Sequence, residues 1–285
     1  MKKLFSIVLA ALMVAALFAG CGSSTAETKA PETTAAPAAA ETTAAPAETE
    51  APAETEAAAT FTTIEAGKLI MSTNAAFPPY EMVADDGSFE GIDVEIAGAV
   101  AAKLGLELVV DDMDFDAALL AVQQGKSDIV MAGVTVNEDR KMVMNFSDTY
   151  SKGVQVVIVK EGSDVTLDNL GDQMIGTQRG TTGYIYTSGD YGEDHVTAYD
   201  NGASAVQALA NGQVDCVIID SAPAEAFVEA NPGLTILDTE YTSEDYAIGM
   251  SKDNTALLDA VNAALAELTA DGTIPAIVEK YIPTK

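Results

Sequence analysis

The chain has 285 residues and is strongly acidic: 44 aspartates and glutamates stand against 14 lysines and arginines, giving a formal net charge of −30. This balance argues against nucleic acid, whose binding needs clustered basic residues, and against a basic membrane patch. One histidine and two cysteines are too few for a His/Cys metal cluster, and they suggest no catalytic Ser-His-Asp triad or Cys-His pair. No phosphate-binding glycine motif follows a predicted strand, so no cofactor and no metal are expected.

The N-terminus has the pattern of an export signal. Two lysines precede an apolar stretch over residues 4–19, which is too short for a comfortable membrane span. The stretch ends in Leu17-Phe18-Ala19-Gly20-Cys21, which resembles a lipobox, in which the signal peptide is cut before a cysteine that then carries lipid. We therefore expect a lipoprotein signal peptide over residues 1–20 and a lipid (palmitate) on Cys21. The alternative is an ordinary signal peptide with a leftover cysteine.

Residues 21–60 are predicted to be the lipidated Cys21 followed by a tether. From residue 25 onwards the composition is Ala, Glu, Thr and Pro, broken only by Lys29. Such a segment has no apolar face to bury and cannot offset its chain entropy, so we expect disorder. The other cysteine, Cys216, lies in an apolar run and is expected to behave as a small buried hydrophobe. Together these features predict a protein anchored to the extracytoplasmic face of the cell membrane.

Along the rest of the chain, strand and helix patterns alternate. Strands are predicted at 68–73, 106–110, 128–132, 154–159, 174–177 and 214–219. Asp93 and Asp114 are candidate caps for two helices between these strands, and Asn254 begins the longest predicted helix. Short buried strands between helices indicate an α/β fold with a mostly parallel sheet.

An internal echo suggests two lobes of similar build. Residues 122–133 and 209–220 both follow the order helix end, Gly, Asp, strand. In this register Gly133 and Asp220 occupy matching strand ends, so facing lobes would place Arg140 and Asp220 on opposite walls of one cleft. Such walls suit a zwitterion. The alternative for Asp220 is the N-cap of a helix over 221–230, where Asp is favoured.

Arginine occurs only at Arg140 and Arg179, in Gly/Thr-rich loops that follow apolar runs. The planar guanidinium matches a carboxylate bidentately, and ligands of open α/β sheets bind outside the carboxyl ends of the strands. These positions predict a pocket for a small carboxylate. The alternative is that both are surface cations.

Seven motifs, in the order of one known family, carry a resemblance over Leu69 to Tyr281. They are Ser72-Thr73-Asn74-Ala75-Ala76-Phe77-Pro78-Pro79-Tyr80-Glu81, Gly91-Ile92-Asp93-Val94-Glu95-Ile96-Ala97, Met113-Asp114-Phe115-Asp116, Leu120-Ala121-Val122-Gln123-Gln124-Gly125-Lys126-Ser127-Asp128, Phe146-Ser147-Asp148, Gly180-Thr181-Thr182-Gly183 and Asp271-Gly272-Thr273. This body resembles the polar amino acid substrate-binding proteins of ABC importers, bacterial extracellular solute-binding protein family 3, which includes glutamine- and lysine/arginine/ornithine-binding proteins. The chain departs at Asn137-Glu138-Asp139-Arg140, where the family usually has Thr-x-Glu-Arg.

The resemblance implies a two-lobed, periplasmic-binding-protein-like type II fold. Each lobe would be a mostly parallel sheet flanked by helices, and two hinge crossovers would join the lobes. By matching, lobe 1 covers 61–150 and 246–285, and lobe 2 covers 155–242. The hinges then lie near 151–154 and 243–245.

The same resemblance assigns the groups that hold the backbone of an amino acid. It places the α-carboxylate on Arg140, helped by the loop of Gly133 and Thr135 and by Thr181. It places the α-ammonium on Asp220.

The remaining predicted site residues surround the ligand side chain. Phe77 and Phe115 would sandwich it, although core packing is the alternative for both. Asn74, Glu81 and Gln178 would line the specificity end, with a surface position as the alternative for Glu81. From these groups we expect a neutral or basic polar ligand, with arginine slightly ahead of glutamine and cystine.

The function implied is capture of an amino acid between closing lobes and delivery to the permease of an ABC importer, by a protein expected to be a monomer. Acidic amino acids should bind poorly, because the resemblance places Arg179 outside the pocket. An enzyme of the cyclohexadienyl or arogenate dehydratase kind shares the fold and would need an acid–base group, for which Glu81 is the candidate. A sensory or cell-wall-lytic protein would need an added domain.

Overall fold

The computed structural model describes residues 61–238 and 240–283, where strands and helices alternate. The predicted signal peptide, Cys21 and the tether lie outside the described residues. The strands are β1 Lys68–Thr73, β2 Ala76–Phe77, β3 Glu81–Val83, β4 Phe89–Glu90, β5 Glu107–Asp112, β6 Ile129–Val130, β7 Met144–Lys160, β8 Ile175–Gln178, β9 Val196–Tyr199, β10 Cys216–Asp220, β11 Leu234–Ile236 and β12 Thr242–Ser251. The helices are α1 Ile92–Lys103, α2 Phe115–Gln123, α3 Glu138–Val143, α4 Thr182–Tyr191, α5 Gly202–Ala210, α6 Ser221–Ala230, α7 Thr255–Ala270 and α8 Thr273–Tyr281.

One large sheet organises these elements, in the order β5-β1-β6-β12-β7-β10-β8-β9, with β11 also paired to β7. A separate antiparallel sheet consists of the short strands β2, β3 and β4. At one end of the large sheet β1 pairs with β5 and β6 in parallel, and at the other β8 pairs with β10 and β9 in parallel. We call β5-β1-β6 the first half of the sheet and β10-β8-β9 the second half. None of the described helices has the length and apolar character needed to cross a membrane.

Two long antiparallel strands at the centre join the halves. β7 runs for 17 residues, whereas the sequence predicted only its second part, 154–159. β12 pairs with β7 over 144–155 and with β6 at its far end. The expected hinge segments lie inside this pair and face each other, since Val154 pairs with Ser243 and Gly153 with Glu244. Hinge motion there stays a prediction.

Helix boundaries follow local chemistry at several positions. Asn254 caps α7, because its side chain accepts a hydrogen bond from the backbone of Leu257 at 3.3 Å. For α1 the cap prediction is wrong: the N-cap is Gly91, and Asp93 lies in the first turn, where its buried carboxylate accepts a bond from the Gly133 N–H at 2.9 Å. The residue that was predicted as a helix cap thus links α1 to the loop after β6.

The internal echo corresponds to two structurally matching units. In each, a helix (α2 or α5) is followed by a turn and a buried strand (β6 or β10). The aspartates that precede the strands have the same role: Asp128 accepts bonds from the N–H groups of Ile64 and Ile70, and Asp215 accepts one from Met174, all at 2.8 Å. Each carboxylate therefore ties its own strand to a neighbouring one, which brings the ends of β6 and β10 to the centre of the molecule.

Candidate functional site

A small cavity, partly open to solvent, lies between the two halves of the sheet. Its lining includes all ten residues predicted as ligand contacts, together with two further residues that the sequence did not indicate. The predicted residues are Asn74, Phe77, Glu81, Phe115, Gly133, Thr135, Arg140, Gln178, Thr181 and Asp220, and the additional ones are Ala132 and Thr182. The structure thus brings the predicted set together, while their role in ligand binding stays a prediction.

Arg140 is a buried cation held by backbone oxygens. It lies in the short helix α3, where the Asn137 side chain accepts a bond from the Arg140 N–H at 2.8 Å. Nη1 of Arg140 donates to the Thr135 carbonyl at 2.8 Å, and Nη2 donates to the Gly180 carbonyl at 3.2 Å. The guanidinium carbon lies 5.3 Å from the centre of the Phe115 ring. Only 7% of the residue is exposed, so the surface-cation alternative fails for Arg140.

Asp220 lies opposite in a network of buried polar groups. It occupies the N-cap position of α6, yet its carboxylate makes no capping bond. Instead it accepts from Gln155 Nε2 at 2.7 Å and, through a short contact, from the Tyr246 hydroxyl. Gln155 Nε2 also donates to Glu244 at 3.0 Å, and Glu244 accepts from the Thr135 hydroxyl at 3.1 Å. One amide therefore serves two carboxylates, which leaves this acidic pair short of positive charge.

The electrostatics of Asp220 reflect that shortage. Burial, reinforced by the Glu244 carboxylate, raises the pKa of Asp220 to about 7. The carboxylate can approach this closely only because residue 153 is glycine: a Cβ at Gly153 would lie 2.4 Å from Asp220 Oδ1. Burial lowers the pKa of the Arg140 guanidinium, while Glu244 acts in the opposite direction. A ligand with one positive and one negative group would complement both Asp220 and Arg140.

Two aromatic rings form apolar walls. Phe77 and Phe115 are 7% and 5% exposed, so both belong to the buried hydrophobic core, and both also line the cavity. The Phe77 ring stacks on Tyr80 with centroids 5.9 Å apart. Gly133 has a φ of 55°, and a Cβ there would lie 2.9 Å from the Phe77 ring. Glycine at 133 thus permits both the left-handed turn and the close approach of the ring.

Three polar contacts cross from one side of the cavity to the other. The first is the bond from Gln178 Nε2 to Asn74 Oδ1 at 2.9 Å. The second joins the hydroxyls of Thr135 and Thr182, 3.4 Å apart, and the third is the bond from Arg140 to the Gly180 carbonyl. On its own side of the cavity, Asn74 Nδ2 also donates to the Met113 carbonyl at 2.9 Å. Since the three crossing contacts join groups after β1 and β6 to groups at the end of β8, they hold the two walls together.

Thr181 has a mainly local role in the structure. Its hydroxyl accepts from the Tyr184 N–H at 3.3 Å as the N-cap of α4, and donates to the Gln178 carbonyl at 2.8 Å. The side chain is therefore committed to shaping the loop that carries Gly180. Help for a ligand carboxylate from Thr181 stays a prediction.

Glu81 is fully buried and faces the cavity, so the surface alternative fails. Neither of its carboxyl oxygens has a hydrogen-bond partner among the described residues. Burial, followed by the adjoining Asp93 carboxyl, raises the pKa of Glu81 well above its ordinary value. Glu81 thus has no described donor to either oxygen, whereas the carboxylates of Asp220 and Glu244 each accept at least one hydrogen bond.

Arg179 lies away from this chemistry. Its side chain is 55% exposed and pairs with Asp200 at 3.2 Å. This placement agrees with the expectation of a surface cation. In residues 61–238 and 240–283 no group of three His, Cys, Asp or Glu side chains is arranged to hold a metal ion.

The polar residues behind the lining were not predicted from the sequence. Gln155, Glu244 and Tyr246 form the network around Asp220, and Asp93 adjoins Glu81. Only Gln155 left a detectable trace, as a polar residue within the apolar run Val154–Val159. The others depend on pairing between distant segments, which the local pattern does not reveal.

The chain is similar to a known protein family in both sequence and fold. The model of the bacterial extracellular solute-binding proteins, family 3, matches residues 69–284. ABC transporter arginine-binding protein 1 of Escherichia coli (strain K12) is 29% identical over 232 residues, which cover 80% of this chain and 96% of that protein. An ancestral arginine-binding protein has been solved with arginine (38% identity, TM-score 0.72) and with glutamine (37%, 0.73). These two structures cover 76% of this chain, and the match spans 98% and 99% of their own chains, respectively.

The chain therefore belongs to the bacterial extracellular solute-binding proteins, family 3, as the motifs predicted. Its relatives include amino acid-binding proteins of ABC transporters, and they are transport proteins rather than enzymes. The two-lobed α/β fold expected from the resemblance is confirmed by the solved structures.

Proposed function

We propose that the protein captures a polar amino acid between its two lobes and delivers it to an ABC importer. One observation carries the proposal: a buried cation, Arg140, and a buried carboxylate, Asp220, line the same small cavity. A guanidinium fork matches the α-carboxylate, and Asp220 matches the α-ammonium. The two charges of the ligand thereby complete a site that has fixed but unbalanced charges without it.

The side chain of the ligand is proposed to lie between Phe77 and Phe115, toward Asn74, Glu81 and Gln178. An aromatic face accepts an aliphatic stem and also stacks well with a guanidinium. The paired amides of Asn74 and Gln178 offer neutral donors and acceptors. We therefore propose a neutral or basic polar ligand, with arginine ahead of glutamine and cystine; names of relatives that bind arginine, glutamine or cystine support this class.

Closure of the lobes is proposed as the signal to the importer. Bonds across the cavity, such as Arg140 to the Gly180 carbonyl, link the lobes directly, and a ligand held by Arg140 and Asp220 adds further links. A ligand shifts the balance between open and closed forms only by its differential affinity for them. Since both walls contribute to the site, the closed form binds more tightly. The permease is then a transient partner that recognises this form.

The protein is further proposed to work as a monomer that is anchored to the outer face of the cell membrane by a lipid on Cys21. The lipobox-like sequence before Cys21 supports the anchor. A tether of about 36 residues of Ala, Glu, Thr and Pro, running from 25 to 60, has a mean span of roughly 35 Å. That reach would let the body find the permease without leaving the membrane.

A thermal-shift screen of the common amino acids with ornithine, citrulline and cystine tests the function. A ligand at 100 times its Kd stabilises a protein by about 2.7 kcal/mol, so true ligands raise the Tm by several degrees. Arginine or another neutral or basic polar amino acid is expected to give the largest rise. No shift with any amino acid would refute the proposal, and turnover of prephenate or arogenate to an aromatic product would favour the dehydratase alternative.

A further inference from the structure

Behind Glu81 lies a cluster of buried acidic groups that ligand binding by Arg140 and Asp220 does not use. The carboxyl of Glu81, in β3, adjoins that of Asp93, in α1. Of their four oxygens, only Asp93 Oδ2 receives a backbone hydrogen bond, from the Gly133 N–H at 2.9 Å. Both Glu81 oxygens are buried without a donor from another described group, whereas Asp93 has the Tyr150 hydroxyl beside it, which opposes the rise that burial causes in the pKa of Asp93. Two adjoining carboxyls can bond to each other only when one of them carries a proton.

The surroundings of the two carboxyls contain acids and phenols. Asp112 at the end of β5 and Asp220 at the end of β10 add negative charge, and Tyr80 lies beside Glu81. The Tyr150 hydroxyl, on β7, adjoins Asp93. Arg140, the cation of the lining, already donates to two carbonyls. Nothing described near Glu81 neutralises a second negative charge in this cluster, so the proton is the neutralising partner.

Access to the cavity makes this proton exchangeable. Glu81 itself lines the cavity, and Asp93 is one hydrogen bond behind Gly133, which also lines it. A positive group on a ligand side chain could therefore reach the pair and replace the proton as the neutralising charge. A neutral side chain could accept a hydrogen bond from the protonated pair but could not replace its charge.

We propose that Glu81 and Asp93 form one proton-sharing pair that responds to the charge of the ligand side chain. The pair keeps its proton beside a neutral side chain and releases it to solvent when a cationic side chain enters. This inference rests on the proposed function, because it assumes an amino acid in the cavity. It adds Asp93, a residue that does not line the cavity, to the determinants of specificity.

The affinity for a cationic ligand is expected to depend on pH in a definite direction. Burial raises the pKa of Asp93 to about 6 and that of Glu81 well above its ordinary value. At low pH a cationic ligand must displace a proton, so its affinity falls as pH falls through the pKa of the pair. Asp220, whose pKa is about 7, adds a similar dependence for every amino acid, because all of them carry the α-ammonium. The pair is therefore revealed by the difference between arginine and glutamine, in which the contribution of Asp220 cancels.

Calorimetry of arginine and glutamine at about pH 6, in buffers of different ionisation enthalpy, measures that difference. Arginine is expected to release about one proton more than glutamine, and the excess should shrink at about pH 9 as the pair loses its proton. Equal proton release by the two ligands at both pH values would overturn the inference. If neither amino acid binds, the same comparison is made with a cationic and a neutral ligand from the screen, and a screen without any ligand refutes the proposed function separately.

Variants locate the effect. Glu81→Gln should abolish the excess proton release and weaken arginine relative to glutamine by about tenfold or more, equivalent to 1.4 kcal/mol. Asp93→Asn keeps an acceptor for the Gly133 N–H and, if Glu81→Gln fails to fold, should still reduce the excess at about pH 6.

Asp112→Asn is the matched control. Asp112 is exposed, lies near Glu81 and accepts a bond from the Ala75 N–H at 2.8 Å, which an amide oxygen can also accept. The control should retain the excess proton release. An unchanged excess in Glu81→Gln, or its loss in Asp112→Asn, would show that the pair does not hold the proton.

Discussion

The two sides of the cavity differ in how their polar groups are satisfied. Around Arg140 and Asp220, guanidinium, carboxylates, amide and hydroxyls form a connected set of hydrogen bonds that includes Gln155 and Glu244. Around Glu81 the balance differs: both oxygens of this carboxyl are buried without a hydrogen bond from another described group, whereas around Asp220 only Gln155 Oε1 and Glu244 Oε1 are left so among the described residues. Since buried polar groups are nearly always bonded, the wholly unsatisfied carboxyl marks where a variable partner belongs.

This difference separates two tasks. The connected side can recognise what all amino acids share, because rigid, preorganised groups suit an invariant target. The unsatisfied side meets the part of the ligand that varies, where a fixed network would exclude most candidates. Changes on the connected side should therefore weaken all ligands alike, and changes on the other side should alter their ranking.

The largest effect is expected from Arg140→Ala, which removes the common anchor. Truncating one member of a buried charge pair costs about 2–5 kcal/mol, or roughly 30- to several-thousand-fold in affinity. Arg140→Lys should restore little, because the bidentate geometry is lost. Calorimetry with the best ligand from the screen measures both. Wild-type affinity in Arg140→Ala would remove Arg140 from the site.

Asp220→Asn should have an intermediate effect of roughly tenfold to a hundredfold, at 1.4 kcal/mol per tenfold. Asparagine can still accept from Gln155 through its single oxygen and donate to the Tyr246 hydroxyl through its amide nitrogen, but it offers no charge to the ammonium. Because the pKa of Asp220 is raised to about 7, its carboxyl favours the fold at low pH and loses that contribution as pH rises through 7.

The ligand-free Asp220→Asn protein should consequently melt higher than wild type at about pH 8, with a smaller difference at about pH 5, because the contribution declines between the ordinary pKa of 3.8 and about 7. Melting curves without ligand at both pH values, beside calorimetry, test the two statements. A lower Tm at pH 8 with unchanged affinity would show that residue 220 serves the fold alone.

The smallest effect is expected from Arg179→Ala, the matched control for Arg140. Its ion pair with Asp200 is exposed, and such pairs contribute about 0–1 kcal/mol. Affinity for arginine and glutamine should stay within about threefold of wild type, and glutamate should bind poorly to both proteins. Tight glutamate binding that disappears in Arg179→Ala would place this cation in the pocket and reverse the expected charge preference.

Local sequence patterns predicted much of the fold. The first strand, Lys68–Thr73, was predicted with its observed bounds, and α7 begins after Asn254 as expected. The long strands β7 and β12 were largely missed, because each passes from one lobe to the other and its burial changes along its length. A strand with polar residues such as Lys152 at its middle does not show the short apolar run that marks a buried strand.

Arg140 and Asp220 were predicted from their positions and the internal echo, the other site residues came from the family resemblance, and the structure gathers them all around one cavity. Their hydrogen-bond roles could not be predicted, since they depend on contacts between distant segments. Gln155 meets Glu244 only because β7 and β12 pair, 89 residues apart in sequence. Asp93 had a plausible local role as a helix cap, and that role concealed its contact with Gly133.

The position of β12 in the sheet has a consequence for how the protein is made. β12 is the only neighbour that connects β6 to β7 in the sheet order, so without it the large sheet falls into two separate groups of strands. A chain emerging from its N-terminus cannot complete the sheet until residues 242–251 have arrived. Tyr246, which bonds to Asp220 and packs edge-on against Tyr80, arrives in that same segment. The network around Asp220, behind the cavity lining, therefore cannot form until residues 242–251 have emerged, whether the chain is being synthesised or is crossing a membrane in the unfolded state.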